Sequence, residues 1–191
     1  MAMPHAMPAQ GEWTVEEMWA LLPADDGNRY EVIDGVLYVT PSPGNPHQDA
    51  VAALLVPLRA FLGRCPVGWV RVAPADVRFG PKRGVQPDVY VAPLVSGRRP
   101  HIWQEITHLL LVVEILSPGT ASRDRGVKRR LYQEVADEYW IVDIDARVVE
   151  RWRPGDERPE VLDTVITWLP AGADEPLTLN LPDFFRDVWD E

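Results

Sequence analysis

Apolar positions in this chain recur in two periods, and the changes between them mark out most of its elements. Residues 14–22 read as a short helix opened by a capping box, Thr14 with Glu17 three residues on. Residues 29–33 and 36–40 read as strands around Asp34-Gly35, a strong hairpin signal. Over 47–62 the apolar residues Val51, Leu54, Leu55, Leu58, Phe61 and Leu62 keep helical spacing. Pro57 is expected to kink or break that helix and Gly63 to stop it. Strand-like runs follow at 69–72, 76–79 and 88–92, with Pro81-Lys82-Arg83-Gly84 as a turn. Residues 109–116 form the most apolar run, expected at the centre of a sheet. A helix is expected over about 122–135, burying Val127, Leu131 and Val135. Strands at 138–143, 148–153, 165–169 and 177–181 complete the pattern. Phe184, Phe185 and Trp189 form an apolar patch expected to dock on the body.

Helix, strands, helix and strand follow one another between residues 47 and 143, which predicts a mixed sheet with helices on its faces. The expected class is α/β (α+β), a mixed central sheet flanked by helices, with an added N-terminal hairpin. One domain over 13–191, with its core at about 47–145, follows a mobile tail at 1–12. Apolar residues make up 46% and charged residues 25% of the 191, an ordinary globular composition. The chain has no apolar run of 18 residues, so no membrane span is expected. Its start does not read as a signal peptide. With one cysteine, Cys65, no internal disulfide can form, and a cytoplasmic location is the expectation.

Two buried-strand patterns carry a carboxylate each: Asp88 in Gln86-Pro87-Asp88-Val89-Tyr90-Val91, and Glu114 in Val112-Val113-Glu114-Ile115-Leu116-Ser117-Pro118. Burying a carboxylate is costly without a cationic partner. Two such strands side by side would aim both at one point, a geometry suited to a hard divalent metal. On the following helix, Asp124, Lys128 and Tyr132 recur at one-turn spacing and make a polar row that could face the carboxylates. The alternative for Asp124 and Lys128 is a solvated surface pair. The net charge of -10 argues against a nucleic-acid partner. The basic residues nevertheless cluster in the middle of the chain, at Lys82, Arg83, Arg98, Arg99, Arg123, Arg125 and 128–130.

Pro87-Asp88, Glu114-Ile115-Leu116 and the later Lys128 together resemble the PD-(D/E)xK nuclease superfamily. The usual lysine position, two after the glutamate, is Leu116 here. The chain resembles a bacterial restriction-endonuclease branch, long catalogued as a domain of unknown function, in which the lysine has moved to the next helix. The likeness runs through residues 30–35, His47, 87–89, 113–118, Asp124, Lys128, Tyr132 and 138–143. It implies Asp88, Glu114 and the backbone carbonyl of Ile115 as ligands of Mg2+ or Mn2+, and Lys128 as the catalytic lysine. Glu31 resembles an additional acidic residue of the family, with a plain hairpin strand residue as the alternative. His47 is read as a helix-start residue packing locally, with a supporting site role as the alternative. Asp124 and Tyr132 would support the site. The implied activity is endonucleolytic cleavage of DNA, with pairing into a homodimer or larger homo-oligomer through the 29–40 hairpin. Two rivals stay open: an inactive nuclease-fold binding module of a mobile-element or defence system, and a phosphohydrolase of small molecules.

Overall fold

A computed structural model describes residues 7–23, 26–102 and 106–190. Six strands form the main sheet in the order β10-β9-β8-β7-β6-β3: β3 (Gly68–Val72), β6 (Val89–Pro93), β7 (Leu111–Ile115), β8 (Tyr139–Asp143), β9 (Val148–Trp152) and β10 (Glu160–Leu162). β7 is fully buried and internal, as its apolar run predicts. β7 and β8 are parallel and the other neighbours antiparallel. A parallel pair needs a crossover. Here it is a helical run across one face of the sheet: α3 (Ala121–Arg123), a π-helical turn (Asp124–Lys128) and α4 (Arg129–Val135).

Alternation along β7 sorts its side chains. Leu111, Val113 and Ile115 pack with Leu54, Leu58 and Phe61 of α2 (Asn45–Arg64). Val112 and Leu116 pack with Leu131 and Tyr132 beneath the helical run. α2 continues through Pro57 without a break. Pro57 forgoes the bond to the Ala53 carbonyl and crowds it, and both residues are half-buried rather than in the core. The helix stops at Arg64, one residue past the predicted glycine.

The added hairpin is part of a second sheet. β1 (Asn28–Ile33) and β2 (Val36–Pro41) pair around Asp34 and Gly35, both at positive φ. β1 also pairs with β5 (Arg83–Val85), and β5 with β4 (Val77–Arg78), making a four-stranded sheet. Arg83 and Gly84, expected in a turn, are strand residues because β1 offers them an edge. α1 (Val15–Leu21) carries the predicted capping box and packs Val15 and Met18 with Trp13 and Val32. Within the expected 1–12 tail, residues 1–6 lie outside the described residues, whereas Gly11 donates its N–H to the Gly35 carbonyl. β11 (Val165–Trp168) and β12 (Leu177–Asn180) pair with each other. The terminal apolar patch is a helix, α5 (Leu181–Trp189), capped by Asn180 and packed on α2. Among the described residues no helix is long and apolar enough to cross a membrane.

Candidate active site

Strand register brings the two carboxylates together. Val89 lies opposite Val113, so Asp88, just before β6, falls beside Glu114 on the face that the helical run covers. β1 adds Arg29 and Glu31, two residues apart and so on one face of their strand. α2 adds His47 from its first turn. The helical run buries Asp124, Lys128, Leu131 and Tyr132, while Val127 and Val135 of the expected stripe are only half-buried. The sheet presents carboxylates at this end, so the polar row turns inward to meet them.

Lys128 is 1% exposed and holds three carboxylates: Nζ lies 2.7 Å from Glu114 Oε1, 3.0 Å from Glu31 Oε1 and 3.9 Å from Asp124 Oδ1. Tyr132 donates its hydroxyl to the same Glu114 oxygen at 2.8 Å. The Gln86 N–H donates to Glu31 at 2.9 Å. Asp88 accepts from Arg29 on Oδ1 at 2.9 Å and from the Ile115 N–H on Oδ2 at 2.8 Å, with His47 Nε2 3.0 Å from Oδ2. The π-helical turn is tied to the sheet by Tyr139, whose hydroxyl donates to the Asp124 carbonyl at 3.2 Å. Arg29, His47, Asp88, Glu114, Asp124 and Lys128 line a cavity of about 290 Å³, with Glu31 and Tyr132 behind them.

All seven predicted side chains thus meet at one place. His47 contacts Asp88 instead of packing only locally, and Asp124 and Lys128 are buried instead of forming a surface pair. Arg29 escaped the sequence reading; its same-face spacing to Glu31 was the available signal. Arg123, which also lines the cavity, carried no signal beyond its charge.

A family model described as "Putative restriction endonuclease" and named Uma2 matches residues 15–189. The chain belongs to the Uma2 family. The protein therefore stands among the PD-(D/E)xK restriction-endonuclease-like proteins. A solved structure titled as a putative nuclease belonging to DUF820, from Anabaena variabilis ATCC 29413, shares the fold. Its TM-score is 0.76 at 21% identity, covering 92% of this chain and 99% of the other. No curated protein matches significantly.

Burial and neighbouring charge act on Asp88, Glu114, Asp124, Lys128 and Tyr132 together. Burial pushes the Asp88 carboxyl up, but His47 and Arg29 outweigh it and hold it well below the usual carboxylate range. Burial pushes Glu114 up, against the pull of Lys128 and with the help of Asp88 and Asp124. Burial also raises Asp124, with Lys128 opposing. For Lys128 burial acts downward, and the charges of Glu114, Glu31 and Asp124 overcome it, so the ammonium stays protonated. Burial raises the Tyr132 hydroxyl, so it remains a donor.

The donor set suits a hard cation. Four buried carboxylates, Glu31, Asp88, Glu114 and Asp124, contact two fixed cations, Arg29 and Lys128. Glu31 Oε2 and Asp124 Oδ1 are buried without a hydrogen-bond partner among the described residues. The Leu116 N–H bonds to Val142 on the β8 side, so the Ile115 N–H and C=O face the β6 side, where Asp88 lies. The register places Pro87 opposite Ile115, and proline has no N–H to offer that carbonyl. No group of three His, Cys, Asp or Glu side chains forms a metal cage among the described residues. Two carboxylates and a carbonyl, completed by water, would be the ligands, as is usual for magnesium.

Proposed function

We propose that the protein is an endonuclease that hydrolyses phosphodiester bonds in DNA with Mg2+ or Mn2+. The observation that carries this reading is Lys128, a protonated lysine held at the cavity floor by Glu114 and Glu31 beside Asp88. A binding surface has no need to bury so many charges at such desolvation cost. Leu116 is no obstacle: it packs in the apolar cluster under the helical run, and Lys128 supplies a cation from the helix instead.

Asp88, Glu114 and the Ile115 carbonyl would hold the metal. Bound there, it supplies Lewis-acid charge and an acidified water. Lys128 stabilises negative charge developing on the scissile phosphate. Glu31 and Asp124 keep Lys128 protonated and aimed. Tyr132 orients Glu114, while Arg29 and His47 fix the Asp88 rotamer.

Titration calorimetry of the metal-free protein with manganese tests this. Binding is expected in the parent and is lost in Asp88→Ala and Glu114→Ala. Cleavage in manganese of DNA supplied both as a plasmid and as a single-stranded circle is then assayed; cutting of at least one is expected, and Lys128→Ala, which keeps both ligands, should cut the rate by about 10²–10³. A parent that takes up no manganese, with or without DNA, or cleavage unaffected by Lys128→Ala, would refute the proposal.

A further inference from the structure

Most cations at the cavity are already committed. Lys128 is enclosed by three carboxylates, and Arg29 gives to Asp88 and to the Gln86 carbonyl. Arg123 differs. Among the described residues its charge acts on the neighbouring Asp124 without a salt bridge to it, and its Nε is buried without a hydrogen-bond partner. Its guanidinium is nonetheless fixed from the neighbouring sheet. Nη2 donates to the Thr40 hydroxyl at 2.6 Å, and Cζ lies 5.4 Å from the centre of the Tyr38 ring. A positioned guanidinium with spare donors beside a lysine and two carboxylates has the chemistry of a phosphate clamp.

The cavity also limits what can reach it. Its volume of about 290 Å³ is at the low end for a small-ligand pocket. One wall is the strand and loop from Val39 to Gly44, and the other runs from Ser117 to Arg123. Asp88, Glu114 and Lys128 at the floor are each at most 2% exposed. A cavity of this volume has room for a stretch of one strand's backbone and not for both strands of a duplex. The net charge of -10 points the same way, because duplex binding leans on an extended set of phosphate contacts.

Resting on the nuclease reading, we propose that the cavity takes an unpaired DNA strand in preference to an intact duplex, with Arg123 contacting a phosphate next to the scissile one. The footprint is short, so binding depends weakly on salt. One or two phosphate contacts give a slope of log K against log salt between about -0.7 and -1.4 for a single strand. That is about a three- to sevenfold loss from 50 to 200 mM salt, where a duplex reader with 6–10 contacts loses about 10³–10⁵.

The test is fluorescence anisotropy in EDTA, with a short fluorescein-labelled strand, alone and annealed to its complement, across a salt series. The free strand is expected to bind at least tenfold tighter than the duplex, with the shallow slope. Arg123→Gln should weaken strand binding about tenfold and reduce the slope by about 0.7, while Arg123→Lys restores the slope. Thermal melts of both variants confirm folding. Equal or tighter duplex binding, a steep slope, or a slope unmoved by folded Arg123→Gln overturns the inference. Manganese-dependent cleavage of duplex alone would overturn it while leaving the nuclease reading intact. A parent that binds neither DNA in EDTA overturns this inference, and manganese-dependent cleavage then decides the nuclease reading separately.

Discussion

Replacing Lys128 with methionine keeps most of the side-chain volume and removes the one positive charge shared by Glu114, Glu31 and Asp124. Breaking a buried ion pair by deleting one partner costs about 3–5 kcal/mol, mainly because the remaining charge stays buried. In a chain of this size each kcal/mol moves the midpoint by about 2–4 °C, so a fall in Tm of roughly 6–20 °C is expected near neutral pH. The pH dependence follows from the carboxyls. Glu114 is already pushed up by burial, and without Lys128 its folded pKa rises further above its unfolded value. A carboxyl raised in this way favours the fold at low pH and loses that contribution as pH rises through the folded value. The deficit of Lys128→Met should therefore be larger at pH 8 than at pH 5. Lys128 itself adds no slope there, because its pKa lies above its ordinary 10.5 and its contribution changes only beyond that pH. Differential scanning calorimetry at several pH values reads both effects. Adding Glu114→Gln should recover part of the loss, with a coupling of about 0.5–3 kcal/mol. A parent-like Tm at pH 8, a deficit independent of pH, or strict additivity would refute the reasoning.

Asp88, held well below its ordinary 3.8, contributes stability that is present above that pH and lost as pH falls through the folded value. Arg29→Met, followed by circular dichroism, should move the acid-unfolding midpoint to higher pH; an unchanged midpoint contradicts the Arg29 contribution. Tyr139→Phe removes the hydroxyl bond to the Asp124 carbonyl and should cost about 0.5–1.5 kcal/mol in urea melts. Parent-like stability would mean that this bond does not help hold the π-helical turn. Gly35→Ala places a side chain at a φ of 80° and drives its Cβ into the Gly11 carbonyl. The backbone alone should cost about 1–2 kcal/mol, and a loss no larger than that would show that the residues before α1 do not dock on the hairpin.

The candidate site was legible where chemistry contradicted burial. A carboxylate inside a strand as apolar as β7 needs a partner, and that alone singled out Glu114 and then Asp88. Asp124, Lys128 and Tyr132 were visible as a row, but whether the row faced water or the sheet was not, since helical spacing is the same either way. The apolar stripe Val127–Leu131–Val135 was the natural choice and was only partly right, because three carboxylates on the sheet side made the polar row the better one to bury. His47, Arg29 and Arg123 were hard to assign for a different reason. Arg29 and His47 come from elements far away in sequence, where a lone residue carries no period to read, and Arg123 falls outside the one-turn row of Asp124, Lys128 and Tyr132.

Local pattern by itself determined the capping box of α1, the Asp34-Gly35 hairpin, the central place of β7 and the helix that follows it, because each depends on neighbours a few residues apart. Tertiary structure decided the rest. It made Arg83 and Gly84 a strand by giving them an edge on β1, carried α2 through Pro57, and wrapped Phe184, Phe185 and Trp189 into a helix on α2. It also gathered Glu31, His47, Asp88, Glu114 and Lys128, drawn from five separate stretches of the chain, into one buried cluster. The free energy of such a cluster lies in desolvation and mutual charge, which depend on distance in space and not on separation along the chain.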